Sequence, residues 1–147
     1  MVKRYNYTNF EKMRFSNDCT VASVAMALRI PYSRVLKVAK SIGFKPNGKY
    51  GCDVYRVVKK LGYDCKIRAY FGDHRIGSRW VEHFARRRIP VKGIWIVSIN
   101  SLNNRGGYHA VVVCNGVVYD PSNKRRANID YVMRKRRHMY YGFTRDE

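Results

Sequence analysis

Apolar residues recur at helical spacing in three stretches of the first half of the chain. Asn17 or Asp18 can cap the first predicted helix, Ser33 the second and Asp53 the third, and a glycine follows the second and the third. The i, i+3, i+4, i+7 spacing predicts one buried face on each helix. These faces consist of Val21, Val24, Ala25 and Leu28, then Val35, Val38, Ala39 and Ile42, and finally Val54, Val57, Val58 and Leu61.

From Cys65 onward the apolar positions alternate with polar ones, as they do in half-buried strands. This spacing predicts strands over 65–69, 93–100 and 139–141, and two strands joined by an Asn-Gly turn within 107–121. A short helix is expected over 78–88, with Ser78 as its cap. Helices first and antiparallel strands afterwards indicate an α+β fold, with amino-terminal helices packed on a carboxy-terminal antiparallel sheet.

The length and composition of the chain agree with a single α+β domain. Residues 1–147 fit a single domain, which is long enough to bury a core without disulfides or a metal. No apolar run has membrane-spanning length and the amino terminus lacks the layout of a signal peptide, so we expect a cytosolic protein with no membrane partner. The four cysteines show no Cys-x-x-Cys spacing, so we expect reduced thiols, no metal site and no cofactor.

The net charge is extreme for a domain of this size. Thirty Lys and Arg against ten Asp and Glu give +20, a field that attracts polyanions such as nucleic acid or an acidic protein. Solubility, or a generally basic proteome, is the alternative explanation, and no named nucleic-acid motif is present. The candidate nucleic-acid-binding residues are those of three basic clusters: Arg86, Arg87, Arg88, Lys124, Arg125, Arg126, Arg134, Lys135, Arg136 and Arg137.

Cys19 is the candidate nucleophile, because it lies at the start of the first predicted helix. Unpaired amides and the positive end of the helix dipole favour a thiolate there. His109 lies on a predicted strand, and Asp120 follows where the next strand ends. Cys19 alone could be a buried helix cysteine, and His109 alone a core histidine. In this order, with Asp120-Pro121, the three residues favour a catalytic Cys-His-Asp site.

These residues resemble the papain-like cysteine peptidase superfamily, in particular the small members related to bacteriocin-processing peptidases. In that family an Asp-Cys pair opens the central helix, and a strand that bears the histidine is followed by Asp-Pro. The chain is also similar to phage-encoded proteins of the superfamily, through Asn-Asp-Cys at 17–19, Ile-Pro-Tyr at 30–32 and Lys-Pro-Asn-Gly-Lys at 45–49. The resemblance covers residues 17–121 and implies a papain-like fold.

The resemblance implies a hydrolase acting on a peptide or isopeptide bond of a peptide or protein substrate. Cys19 would attack, His109 would move the proton and Asp120 would orient the imidazole. Papain-like enzymes usually place a glutamine before the cysteine to bind the oxyanion. Met13 stands at that position, so Asn17 or backbone amides at Cys19 would replace the glutamine.

A catalytically idle papain-like scaffold is the alternative to a hydrolase. Its basic surface would hold nucleic acid or an acidic host protein, since fold resemblance alone does not decide function. A phage-encoded protein would act in the host cytoplasm. The sequence leaves the oligomeric state open.

Overall fold

The architecture was analysed in a computed structural model. It describes residues 10–71, 75–76, 79–80, 93–100, 108–122, 125–128, 132 and 138–145. Within these ranges the chain forms helices first and strands afterwards, so the α+β mix predicted from the sequence is confirmed. The helices are α1 (Cys19–Leu28), α2 (Tyr32–Ser41) and α3 (Val54–Lys60).

Helix α1 lies at the centre of the molecule. All of its residues from Thr20 to Ala27 are buried, because its apolar and small side chains lie on every side of the helix rather than on one face. The helix ends at Leu28, and the left-handed backbone of Arg29 lets the amide of Ile30 donate to the carbonyl of Ala25 at 3.2 Å. Because α1 is packed on all sides, the position of its first residue, Cys19, is fixed.

The other two helices follow the sequence prediction closely. Helix α2 begins at Tyr32, with Pro31 rather than Ser33 in the capping position. The predicted cap of α3 is confirmed, because the Asp53 carboxylate accepts a hydrogen bond from the amide of Arg56 at 3.2 Å. The described helices offer no segment that is long and apolar enough to cross a membrane.

The described strands are β1 (Tyr63–Phe71), β2 (Arg75–Ile76), β3 (Arg79–Trp80), β4 (Ile94–Asn100), β5 (Tyr108–Cys114), β6 (Val117–Asp120), β7 (Arg125–Asn128) and β8 (His138–Arg145). Among the described residues they form a six-stranded antiparallel sheet and a separate two-stranded pair. In the large sheet the order is β1-β8-β4-β5-β6-β7, so β8 lies between two strands that precede it in the chain.

The prediction of a helix over 78–88 is wrong at its start. Arg79 and Trp80 form strand β3, which pairs with Arg75 and Ile76, while the rest of the predicted helix lies outside the described residues. Ser78, the predicted cap of this helix, also lies outside the described residues.

The hairpin of β5 and β6 carries two of the predicted site residues. Asn115 and Gly116 join its strands with φ values of 48° and 82°, which is the left-handed pair that a tight two-residue turn requires. Residues 110–114 are all buried, because even positions face the helices and Val111 and Val113 pack in a second cluster on the other face of the sheet. Strand β5 is therefore covered on both faces.

Candidate active site

Two side chains of α1 form hydrogen bonds with the backbone of β5. The amide of Ala110 donates to Cys19 Sγ at 3.4 Å, and the Ser23 hydroxyl donates to the carbonyl of Ala110 at 3.0 Å. Cys19 and Ser23 are four residues apart and so lie on the same side of α1. The register of β5 with β6 runs from Cys114 to Val112, and at Ala110 the hydrogen-bond partners are the side chains of Cys19 and Ser23 on α1. His109, the residue before Ala110, is thereby held beside the thiol.

His109 lies between Cys19 and Asp120. Its Nε2 donates to Asp120 Oδ1 at 2.7 Å, and the ring is near enough to the Cys19 thiol for each group to shift the pKa of the other. Asp120 is 2% exposed. The Ser122 amide and hydroxyl also donate to Asp120 Oδ1, at 2.9 and 2.7 Å. The structure therefore brings the three predicted residues together in the order Cys-His-Asp.

The charges at this site favour a thiolate-imidazolium pair. Burial raises the pKa of the Cys19 thiol, but hydrogen bonding and the charge of His109, with the amides of Ala110 and Thr20, outweigh burial and bring that pKa below its ordinary value. Burial also lowers the pKa of His109, but Asp120 and Cys19 more than offset it and raise the pKa to about 9. At neutral pH the imidazole therefore carries a proton, and Cys19 ionises at a lower pH than an ordinary thiol.

The alkylation rate of Cys19 by iodoacetamide should therefore rise at a lower pH than that of an ordinary thiol. Burial raises the pKa of Cys52 to about 12 and that of Cys65 to about 11, so these two stay protonated and serve as internal controls. Mass spectrometry of each cysteine against pH measures the effect. In His109→Ala the labelling of Cys19 should begin at a higher pH than in the wild type. If Cys19 of the wild type were labelled at no lower pH than Cys52, the ion pair would be contradicted.

The structure assigns Asn17 a role other than the predicted oxyanion donor. Its Nδ2 donates to the carbonyls of Lys45 and Tyr50, each at 2.8 Å, so both amide hydrogens are used. Its Oδ1 accepts from the amide of Asn47 at 2.8 Å. The prediction for Asn17 is wrong because these three bonds fasten the side chain to the 45–51 loop. Asn17 ties this loop to the start of the nucleophile helix.

Asp18 occupies the capping position of α1 without capping it. Its carboxylate accepts from the amide of Arg14 at 2.9 Å, from the amide of Phe15 at 3.1 Å and from the hydroxyl of Tyr32. No side-chain cap reaches the first turn of α1. Among the residues that the structure describes, none accepts from the amide of Cys19, which leaves this N–H as a candidate oxyanion donor.

A cleft of about 310 Å³ opens at Cys19. Apart from Cys19, its lining residues were not predicted as site residues, and they include Cys52, Ser98, Tyr108 and Tyr141. These four come from a loop and three strands, so no local motif in the sequence indicates them. Ser122, which supports Asp120, does have a signal, because an Asp side chain that accepts from the amide two residues later is a common turn motif.

The basic clusters cannot be placed at this cleft. Arg86, Arg87, Arg88, Lys124, Arg134, Lys135, Arg136 and Arg137 lie outside the described residues. Arg125 and Arg126 lie in β7, where the backbone alone is described. Nucleic-acid binding by these clusters stays a prediction. Over the same described part of the chain, no group of three His, Cys, Asp or Glu side chains is arranged to hold a metal.

Comparisons of the chain with protein-family models and with curated proteins give no match. The functional conclusion therefore depends on the geometry of Cys19, His109 and Asp120.

Proposed function

We propose that this protein is a papain-like cysteine hydrolase that cleaves peptide or isopeptide bonds in a peptide or protein substrate. The position of the His109 ring carries the proposal, because the ring is hydrogen-bonded to Asp120 and interacts with the Cys19 thiol. A core cysteine or a core histidine has no need of this arrangement. A nucleophile, a base and a group that orients the base are the parts of covalent acyl transfer.

The thiolate of Cys19 attacks the carbonyl carbon, and a tetrahedral intermediate forms with negative charge on its oxygen. The amide of Cys19 is placed to stabilise that oxygen. The His109 imidazolium gives its proton to the leaving amine, the C–N bond breaks and a thioester remains. Neutral His109 then takes a proton from water, which attacks the thioester and releases the acid and the Cys19 thiolate.

The fold supports the papain-like part of the proposal. The nucleophile begins the central helix, the histidine lies on an antiparallel strand and the aspartate ends the next strand. Met13 donates its amide to the carbonyl of Pro121 at 3.1 Å, so the segment before Cys19 passes next to the aspartate end of β6. The N–H of Cys19 would then donate to the oxyanion in place of the glutamine, which this chain lacks.

A peptide library digested in ¹⁸O-labelled water tests the proposal. We expect new carboxyl termini that carry one ¹⁸O atom per cleavage, because water releases the acyl group from Cys19. Protein alkylated beforehand at Cys19, with Cys52 left free, should produce none. No cleavage by the folded, unmodified protein would contradict the hydrolase and favour the idle scaffold.

The net charge of +20 favours one second candidate function. A field of this strength binds polyanions without any need for Cys19, so nucleic acid or an acidic host protein is the partner under this alternative. A phage-encoded protein of either kind would act in the host cytoplasm.

A further inference from the structure

A second cavity, of about 470 Å³, adjoins the cleft at Cys19. The two cavities share residues 51–53 as a common wall, so a ligand that leaves the cleft across this wall enters the second cavity. Its volume lies in the range of roughly 300 to 1,000 Å³ that is usual for ligand pockets. The second cavity is therefore large enough to hold side chains of an extended substrate.

The lining of the second cavity is positively charged. Lys45, Lys49 and Arg56 all contribute to it and are exposed, and none of them has an ion pair with another described residue. Asp53 is the one acidic residue among the lining residues, and its carboxylate accepts from the backbone amide of Arg56. Three cations against one carboxylate leave the cavity with an excess of positive charge.

The loop that forms this cavity is held in place. Besides the three bonds of Asn17 to the loop, the amide of Ser16 donates to Asn47 Oδ1 at 2.9 Å. A side chain at position 48 would not fit, because its Cβ would lie 2.9 Å from the carbonyl oxygen of Lys45. Lys45 and Lys49 are thus carried by a loop fixed to the two residues before Asp18, and Arg56 is carried by helix α3. A fixed loop reduces the entropy lost when a ligand binds.

We propose that this cavity is a subsite for acidic side chains of the substrate, and that Lys45, Lys49 and Arg56 select peptides with Asp or Glu near the bond at Cys19. The proposal rests on the proposed function, since it names the substrate class of the same site. Cations at the rim of a cleft raise the local concentration of acidic ligands and discriminate against basic ones.

Protection of Cys19 from iodoacetamide by synthetic peptides tests the subsite without turnover. Three decapeptides of the same length and apolar pattern carry Glu, Gln or Lys at the variable positions. We expect the Glu peptide to protect Cys19 at about 10-fold lower concentration than the Gln peptide, and the Lys peptide to protect least, because each exposed ion pair contributes only modestly. High salt should reduce the difference.

The matched variants separate the subsite from the general charge. Lys45→Ser, Lys49→Ser and Arg56→Ser together should abolish the preference for Glu over Gln. Three substitutions on the exposed side of α2 remove the same charge outside both cavities and should keep the preference: Arg34→Ser, Lys37→Ser and Lys40→Ser. Unlabelled Cys65, which is buried, reports that each variant is folded.

Equal protection by the Glu and Gln peptides, or equal loss of the preference in both triple variants, would overturn the subsite. Because protection requires only that peptides cover Cys19, its outcome is independent of the ¹⁸O experiment. A Glu preference without any cleavage would retain the subsite and reject the hydrolase. Cleavage without a Glu preference would retain the hydrolase and reject the subsite.

Discussion

Replacing His109 with alanine is expected to slow hydrolysis by roughly 10²- to 10⁴-fold, the usual contribution of a general acid and base. The variant has no group to protonate the leaving amine, and Cys19 loses the charge that brings its pKa below the ordinary value. Both effects act on the acylation step. The measurement is kcat/KM on a peptide from the ¹⁸O library, at a pH below 9, where His109 of the wild type is protonated.

The controls for this prediction are Cys19→Ala and a double variant that combines Cys19→Ala with His109→Ala. Residues that act as one unit show losses that do not add, so the double variant should be no slower than Cys19→Ala alone. Asp120→Asn keeps a similar shape and should reduce the rate as well, because it removes the charge that favours the imidazolium. Multiplied losses in the double variant would mean that Cys19 and His109 act separately.

Replacing Asp18 with alanine is expected to lower the free energy of unfolding by about 3 kcal/mol, since donors buried without a partner each cost about 1 to 3 kcal/mol. Asp18 is fully buried, and its carboxylate accepts from the amides of Arg14 and Phe15 and from the hydroxyl of Tyr32. Tyr32 is itself buried, at 2% exposure, so its hydroxyl has little access to water as a substitute. Urea denaturation measures the loss.

Two other variants give reference values for the stability that Asp18→Ala is expected to lose. Asp18→Asn keeps one acceptor oxygen and should lose less than Asp18→Ala. Asp53→Ala removes an exposed carboxylate with one described backbone bond, the cap of α3, and should lose about 1 kcal/mol. If Asp18→Ala were no less stable than Asp53→Ala, the three bonds of Asp18 would contribute nothing beyond an ordinary cap.

Features set by neighbouring residues could be predicted from the sequence. The cap at Asp53 depends on the amide three residues later, and the turn at Asn115-Gly116 depends on the backbone freedom of its own two residues. The meeting of Cys19 with His109 was predictable only as a pattern of residue types in a given order. Its geometry comes from the contact of α1 with β5 at Ala110, which no local pattern indicates.

The roles of Asn17 and Asp18 could not be predicted, because each side chain can bond to the nearest helix amide or to a more distant group. Asn17 bonds to residues 28 to 33 positions away, and Asp18 to a turn behind it and to Tyr32. Tertiary contacts supply these partners. The place of β8 in the sheet could not be predicted either, because periodicity predicts a strand but not its neighbours.

The place of β8 also determines the order in which the molecule can assemble. Strands β1 and β4 share a sheet only through β8, which follows both of them in the chain. Tyr141 on β8 pairs with Ile67 of β1 and Ile96 of β4, and it lines the cleft at Cys19. Closing such distant pairings costs chain entropy before it yields contacts, which slows folding. A nascent chain can therefore bring its nucleophile helix onto β5 before the Tyr141 side of the cleft exists.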